Sequence, residues 1–296
     1  MFSSFQGEGV YNGKPTYFIR FFGCNLKCDG FGQKNPTHKE EYVLPYKTIN
    51  IDNIKTLDDL PVFETGCDSS YSWYSKYKKF IKKLTYYEIF KKIQNDVLND
   101  FNTDICDTET NDNVIIPGWY NTKTGNDIQL CFTGGEPLLF QKQINGICEI
   151  LNENESNPPL ITIETNATQK INKLNICQYT DNLHFSCSPK LYNVTGEENV
   201  IKEDIIKQYI DKANSGCIKF VHNGTKNTWL EIDEVMNKLK FLTNTPNWSI
   251  WIMPVNSTIE TQTPEHLQPI IMESLKRGFN VSMRSHIIVF GNKIGK

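Results

Sequence analysis

Arginine, long apolar runs and an imbalance of charge are all scarce in this chain of 296 residues. No stretch approaches the 18 consecutive apolar residues of a membrane-spanning helix. The first residues, Met1-Phe-Ser-Ser-Phe-Gln, have neither the basic n-region nor the apolar h-region of a secretory signal, so a cytoplasmic protein without a membrane partner is expected. With 31 basic against 34 acidic residues the net charge is -3, which excludes a whole-chain basic field of the kind that draws in nucleic acid. Only Arg20, Arg277 and Arg284 among the basic residues offer a planar bidentate donor. What is plentiful is apolar content, at 39%, and cysteine, at nine. Nine thiols cannot all pair, and in a reducing compartment they read as buried thiols, metal ligands or reactive groups.

Residues 14–23 form a β-branched and aromatic run closed by Gly23, which predicts a buried strand feeding a loop that opens on Cys24. The polar, Pro-containing stretch 29–66 is too long for an ordinary connection and reads as an insertion. A second insertion is expected at 102–126, after a helix over 85–101 with Thr85 as its cap. From 128 onward strands (128–132, 160–164, 183–187, 217–221, 248–253, 279–283) alternate with helices (141–153, 203–214, 230–242, 264–277), with a helix or turn at 168–176. Such alternation predicts an α/β fold with a parallel sheet, curled or closed, helices outside, and chemistry at the C-terminal strand ends. The polar clusters at Cys24, 133–137, 164–168, 186–190, 253–254 and 284–286 each follow an apolar run.

Cys24-Asn-Leu-Lys-Cys28 places two thiols four apart, close enough for two corners of one metal centre, although two ordinary thiols would look the same. Thr133-Gly-Gly-Glu-Pro137 lets a ligand lie against bare backbone, with Glu136 and free peptide groups able to meet an ammonium; alone, it reads as a tight turn. Together the two elements resemble the radical S-adenosylmethionine (SAM) superfamily. Its members hold a 4Fe-4S cluster on three cysteines of a CxxxCxxC loop and leave one iron open to chelation by SAM. Thiolates suit such clusters.

Here the position three after Cys28 is Phe31, which cannot ligate iron. Gly66-Cys67-Asp68-Ser69-Ser70-Tyr71-Ser72-Trp73 resembles the Cys-Asp-Thr-x-Tyr-x-Trp segment that begins at the third cysteine in one branch, the 7-carboxy-7-deazaguanine synthases. The resemblance therefore implies cluster ligation by Cys24, Cys28 and Cys67, with 29–66 inserted between the second and third ligands. Closing a loop of 39 residues instead of three costs on the order of 2 kcal/mol. Binding energies of metal sites, roughly 10 kcal/mol or more, exceed that.

Other motifs resemble the family's in order, and the resemblance implies one radical SAM domain over 1–296 with two insertions and a partial parallel TIM-like barrel. Gln6-Gly-Glu-Gly9 and Arg20 resemble substrate-binding motifs, and Gln6, Glu8, Arg20, Thr133 and His286 are implied for the substrate. Gly134, Gly135, Glu136, Glu164, Asn166, Ser188, Lys190, Met253 and Pro254 are implied for SAM, and Ser69, where the branch has Thr, for Mg²⁺. The implied reaction converts the pterin 6-carboxy-5,6,7,8-tetrahydropterin to 7-carboxy-7-deazaguanine with release of ammonia, after one-electron reduction of SAM by a donor protein such as flavodoxin. Relatives are commonly homodimers. Only two residues precede Ser3, so the strand usually found ahead of Gln-Gly-Glu-Gly is expected to be missing or to lie upstream. Cys106, Cys131, Cys148, Cys177, Cys217 and, less clearly, Cys187 read as small buried apolar residues; His38, His184, His222 and His266 read as structural. Two rival readings share some motifs: another radical SAM enzyme, such as a glycyl-radical activase, which needs neither Gln6, Glu8 and Arg20 nor His286, and a non-catalytic module with structural zinc.

Overall fold

The structure, a computed structural model, describes all residues except 102–104, 107–115, 118, 122, 155–157, 292 and 296. Much of the expected insertion 102–126 lies outside the described residues, as does the expected burial of Cys106 and Cys177. Eight strands form one sheet in strictly sequential order: β1 (Phe2–Phe5), β2 (Pro15–Phe21), β3 (Gln129–Gly134), β4 (Leu160–Thr165), β5 (Leu183–Cys187), β6 (Ser215–His222), β7 (Trp248–Pro254) and β8 (Asn280–Val281). β1 runs antiparallel to β2, and every other neighbour is parallel. The crossovers carry α1 (Tyr86–Phe101), α2 (Gln141–Asn154), α3 (Glu203–Lys212), α4 (Lys226–Lys238) and α5 (Pro264–Lys276), with α6 (Ser285–Phe290) after the last strand. This is the expected α/β fold, an open partial barrel.

Periodicity explains which faces are buried. α2 buries Ile144, Ile147, Cys148 and Leu151, an i, i+3, i+4, i+7 stripe, against the strand residues Leu130, Phe132, Ile161 and Ile163. α1 does the same with Phe90, Ile93 and Val97, and starts at a reciprocal cap in which Thr85 N–H donates to Glu88 and Glu88 N–H donates to Thr85 Oγ1. The central strands are covered on both faces, so they read as nearly unbroken apolar runs. Cys131, Cys148, Cys187 and Cys217 are buried free thiols, as expected. Polar side chains fill the barrel floor: Thr16 donates to Gln129 at 3.1 Å, Gln129 donates to Thr162, and His184 pairs with Ser215 at 2.9 Å.

The structure corrects two details and decides a third. β1 is present, pairing Phe2 with Phe18 through Phe5 with Pro15, where the sequence left no expected strand. Of the helix or turn expected at 168–176 it has the turn, with Leu174 N–H donating to the Ile171 carbonyl at 3.4 Å, and a 3₁₀ segment (Cys177–Asn182) follows it into β5. α4 begins at Lys226, capped by Thr225, four residues before the expected start.

Two features place the functional residues. The two sheet edges meet at the strand ends: Ser285 N–H donates to the Gly7 carbonyl at 2.9 Å, and Gly9 N–H donates to Ser282 Oγ at 2.8 Å. Gln6-Gly-Glu-Gly9 thereby faces Arg284-Ser-His286 across the sequence. The insertion 29–66 has a small core of its own in which Tyr46, Ile51, Leu60 and Phe63 pack with Tyr71 and Tyr77. Its two ends are pinned together, with Gly66 N–H donating to the Phe31 carbonyl at 2.8 Å and Gly32 packed on the Glu64 carbonyl. Cys67 thus returns to Cys28 although 39 positions separate them.

Candidate active site

A cavity of about 440 Å³ lies at the C-terminal ends of the strands. Every expected site residue lines it except Glu136: Gln6, Glu8, Arg20, Cys24, Cys28, Cys67, Ser69, Thr133, Gly134, Gly135, Glu164, Asn166, Ser188, Lys190, Met253, Pro254 and His286. Residues far apart in sequence therefore share one chamber.

At one side stand Cys24, Cys28 and Cys67, all free thiols within electrostatic reach of one another. Burial raises all three thiols above their ordinary range, Cys67 to about 12, with the Asp68 carboxylate adding to the effect there; Lys190 works the other way on Cys24 and Cys28. Three soft donors on one wall fit an iron-sulfur cluster.

The glycines beside Cys24 are required by close approach. Gly134 has φ +150°, and a Cβ there would overlap the Phe21 carbonyl. A Cβ on Gly135 would overlap the Gly23 carbonyl and stand 2.7 Å from the Cys24 Cβ. Gly135→Ala is accordingly expected to cost about 1–3 kcal/mol, as overpacking does, measured as a lower urea midpoint at unchanged slope.

Glu136 departs from its expected part. It is fully buried behind the wall, where its carboxylate accepts from Leu138 N–H (3.0 Å), Thr165 Oγ1 (2.8 Å) and Asn166 N–H (2.8 Å). Burial raises its carboxyl to about 7 against the pull of those three donors. Its work is to fasten the turn after β4, which includes Ala167 at φ +61°. That turn presents Asn166, whose amide donates to Asn25 Oδ1 at 3.1 Å and reaches 3.9 Å from Cys24 Sγ. The glycine backbone, and not this carboxylate, faces the cavity.

Joined to the cysteine wall through Asp68, the neighbour of Cys67, is a network of buried charge. Gln6 donates to Glu164 Oε1 at 3.0 Å, and Thr133 donates to Glu164 Oε2 at 2.7 Å, which puts Glu164 with the residues implied for substrate. Glu8 is bound by Lys219 on one oxygen and by Arg284 Nε at 2.9 Å on the other. Arg284 continues to Asp68 at 2.6 Å and to the Asn256 carbonyl. Burial alone would raise Glu8, but Lys219 and Arg284 hold it well below the usual carboxylate range. Burial likewise works against Asp68, which Arg284 brings below its ordinary value. His286 is lowered by burial, partly offset by Glu8. Ser69 Oγ lies 3.3 Å from Asp68 Oδ1, so two oxygen donors stand together where a cation was expected. Arg20 lies between the rings of Phe2 and Tyr71, and its buried Nε has no hydrogen-bond partner. Lys219 and Asp68 belong to motifs legible in sequence but were given no site role there, because neither charge has a sequence neighbour that announces its partner.

No protein-family profile and no solved structure matches the chain. Curated proteins do match. One from Bacteroides thetaiotaomicron is 64% identical over 28 residues, covering 10% of this chain and 15% of the relative. One from Methanocaldococcus jannaschii is 25% identical over 154 residues, covering 52% and 41%, and one from Methanothermobacter thermautotrophicus is 36% identical over 69 residues, covering 22% and 28%. All three are 7-carboxy-7-deazaguanine synthases. The chain matches these synthases over less than half of their own length. Among the described residues, no helix is long and apolar enough to cross a membrane.

Proposed function

We propose that the chain is a radical SAM enzyme of the 7-carboxy-7-deazaguanine synthase type, with a 4Fe-4S cluster on Cys24, Cys28 and Cys67. The observation that carries this reading is the return of Cys67 to the first two cysteines, across a folded insertion, in one cavity lined also by Gln6, Glu8, Arg20 and His286. When bound, the cluster and SAM supply one-electron cleavage of a carbon-sulfur bond and a carbon radical for hydrogen abstraction.

The chain's own residues bind, orient and shield. The peptide groups of Gly134 and Gly135, with Asn166, Ser188 and Lys190, offer donors and acceptors to the polar ends of SAM, while Met253 and Pro254 give it an apolar wall. Arg20, with an unpaired buried Nε, receives the carboxylate of 6-carboxy-5,6,7,8-tetrahydropterin. Glu8 and Glu164 stay acceptors for the N–H edge of the pterin, and neutral His286 retains one donor and one acceptor nitrogen. Ser69 and Asp68 offer oxygens to Mg²⁺, which keeps waters and substrate oxygens as its other ligands. Burial of the reacting carbon excludes water and fixes its approach. A small acidic electron carrier such as flavodoxin supplies the electron, and the protein works as a homodimer.

A glycyl-radical activase has no use for a buried small-molecule wall of this kind, and a zinc module would stay colourless where an iron-sulfur protein is brown. The test is an anaerobic assay of the iron-sulfur-reconstituted protein with 6-carboxytetrahydropterin, SAM, dithionite and Mg²⁺. Formation of 7-carboxy-7-deazaguanine by mass is expected. SAM cleavage with no product would move the reading to another radical substrate.

A further inference from the structure

The loop bearing Cys24 and Cys28 is held from well outside its motif. One oxygen of Glu197 accepts from two consecutive peptide donors, Lys27 N–H at 2.8 Å and Cys28 N–H at 2.7 Å. Cys28 has φ +52°, a left-handed backbone that a residue with a side chain keeps only where its surroundings impose it. Glu197 itself is over-determined. It follows the one-turn helix Tyr192–Thr195, closed by Gly196 at φ +71°. Its own N–H donates to Thr195 Oγ1 at 3.2 Å, and Gly30 N–H donates to the Thr195 carbonyl at 3.0 Å. A Cβ on Gly30 would lie 2.6 Å from the Thr195 carbonyl carbon, so the two segments are in direct backbone contact.

Consecutive peptide N–H groups form a concavity that binds anions. Beside a ligating cysteine, such donors ordinarily point at sulfur, and hydrogen bonds to sulfur together with local charge set a cluster's reduction potential. Here the Cys28 N–H is committed to a carboxylate. We infer that Glu197 is a positioning residue that holds Cys28 in its left-handed conformation, aimed with Cys24 and Cys67, and lowers the potential of the group they bind. This rests on the cluster reading proposed above.

The experiment uses the full chain, reconstituted anaerobically, as wild type, Glu197→Ala, Glu197→Gln and, as a control at the exposed neighbour, Glu198→Ala. Iron and sulfide per chain are counted, and the midpoint potential is titrated by electron paramagnetic resonance (EPR). Glu197→Gln keeps an acceptor oxygen and loses the charge, so wild-type iron with a more positive potential is expected. Glu197→Ala loses both, and should retain less than half the wild-type iron at unchanged far-ultraviolet circular dichroism, while Glu198→Ala matches wild type. Wild-type iron content in Glu197→Ala, or a wild-type potential in Glu197→Gln, would overturn the inference. A wild type that takes up no iron would overturn the cluster reading and this inference with it, which separates the two failures.

Discussion

Cys67→Ala, purified and reconstituted without oxygen, will hold less iron and sulfide per chain than wild type and will lose SAM cleavage by more than about 100-fold. The size follows from the role: outer partners of metal ligands are worth roughly 10- to 100-fold, and a ligand is worth more. Cys67 lies on the cavity wall beside Cys24 and Cys28, and Phe31, in the position where a shorter loop would carry the third thiol, has no donor. Cys148→Ala is the matched control. It removes another free thiol, a fully buried one, from the α2 stripe against the core. Its cost should appear as lower thermal stability with iron content and cleavage rate unchanged. Equal iron in Cys67→Ala and wild type would show that the insertion does not separate two ligands.

Lys219→Met will destabilise the fold by about 3–5 kcal/mol, the cost of stripping one partner from a buried ion pair. Lys219 is 5% exposed and binds the oxygen of Glu8 that Arg284 does not. The pH dependence follows from the direction of the Glu8 shift. Because its folded carboxyl lies below the ordinary value of 4.5, its contribution is fully present above that value and is lost as pH falls through the folded one. Removing Lys219 moves the folded value upward, so the acid-unfolding midpoint shifts to higher pH, as followed by circular dichroism. The double variant Glu8→Gln/Lys219→Met should regain part of the loss, because it no longer buries a carboxylate short of a partner. An acid midpoint at the wild-type pH in Lys219→Met would contradict the pairing.

The parts of this account that were legible in sequence are those written locally. Buried strands covered on both faces leave apolar runs, and the chemistry sits at their polar tips, so Cys24, Thr133 to Gly135 and Asn166 could be placed before any coordinates. β1 was not legible. Phe2-Ser-Ser-Phe5 is too short to display a period, and becomes a strand only through its pairing with β2. The start of α4 was obscured because its first turn, Lys226-Asn-Thr, carries no apolar residue ahead of Trp229; the signal was the Thr225 cap, whose side chain accepts from Thr228 N–H. Glu136 was legible as a residue and not as a role, since only the placement of Leu138, Thr165 and Asn166 decides that its carboxylate is spent on backbone and hydroxyl donors. Glu197 had no signal, lying 169 positions from the cysteine whose N–H it binds.

The central claim is that Cys24, Cys28 and Cys67 hold an iron-sulfur cluster with one iron free to bind SAM. Low-temperature EPR of the dithionite-reduced, reconstituted wild type, recorded with and without saturating SAM, tests it most directly. A cluster signal whose shape changes on addition of SAM is the predicted result. A colourless protein without such a signal, or a cluster signal indifferent to SAM, would contradict it.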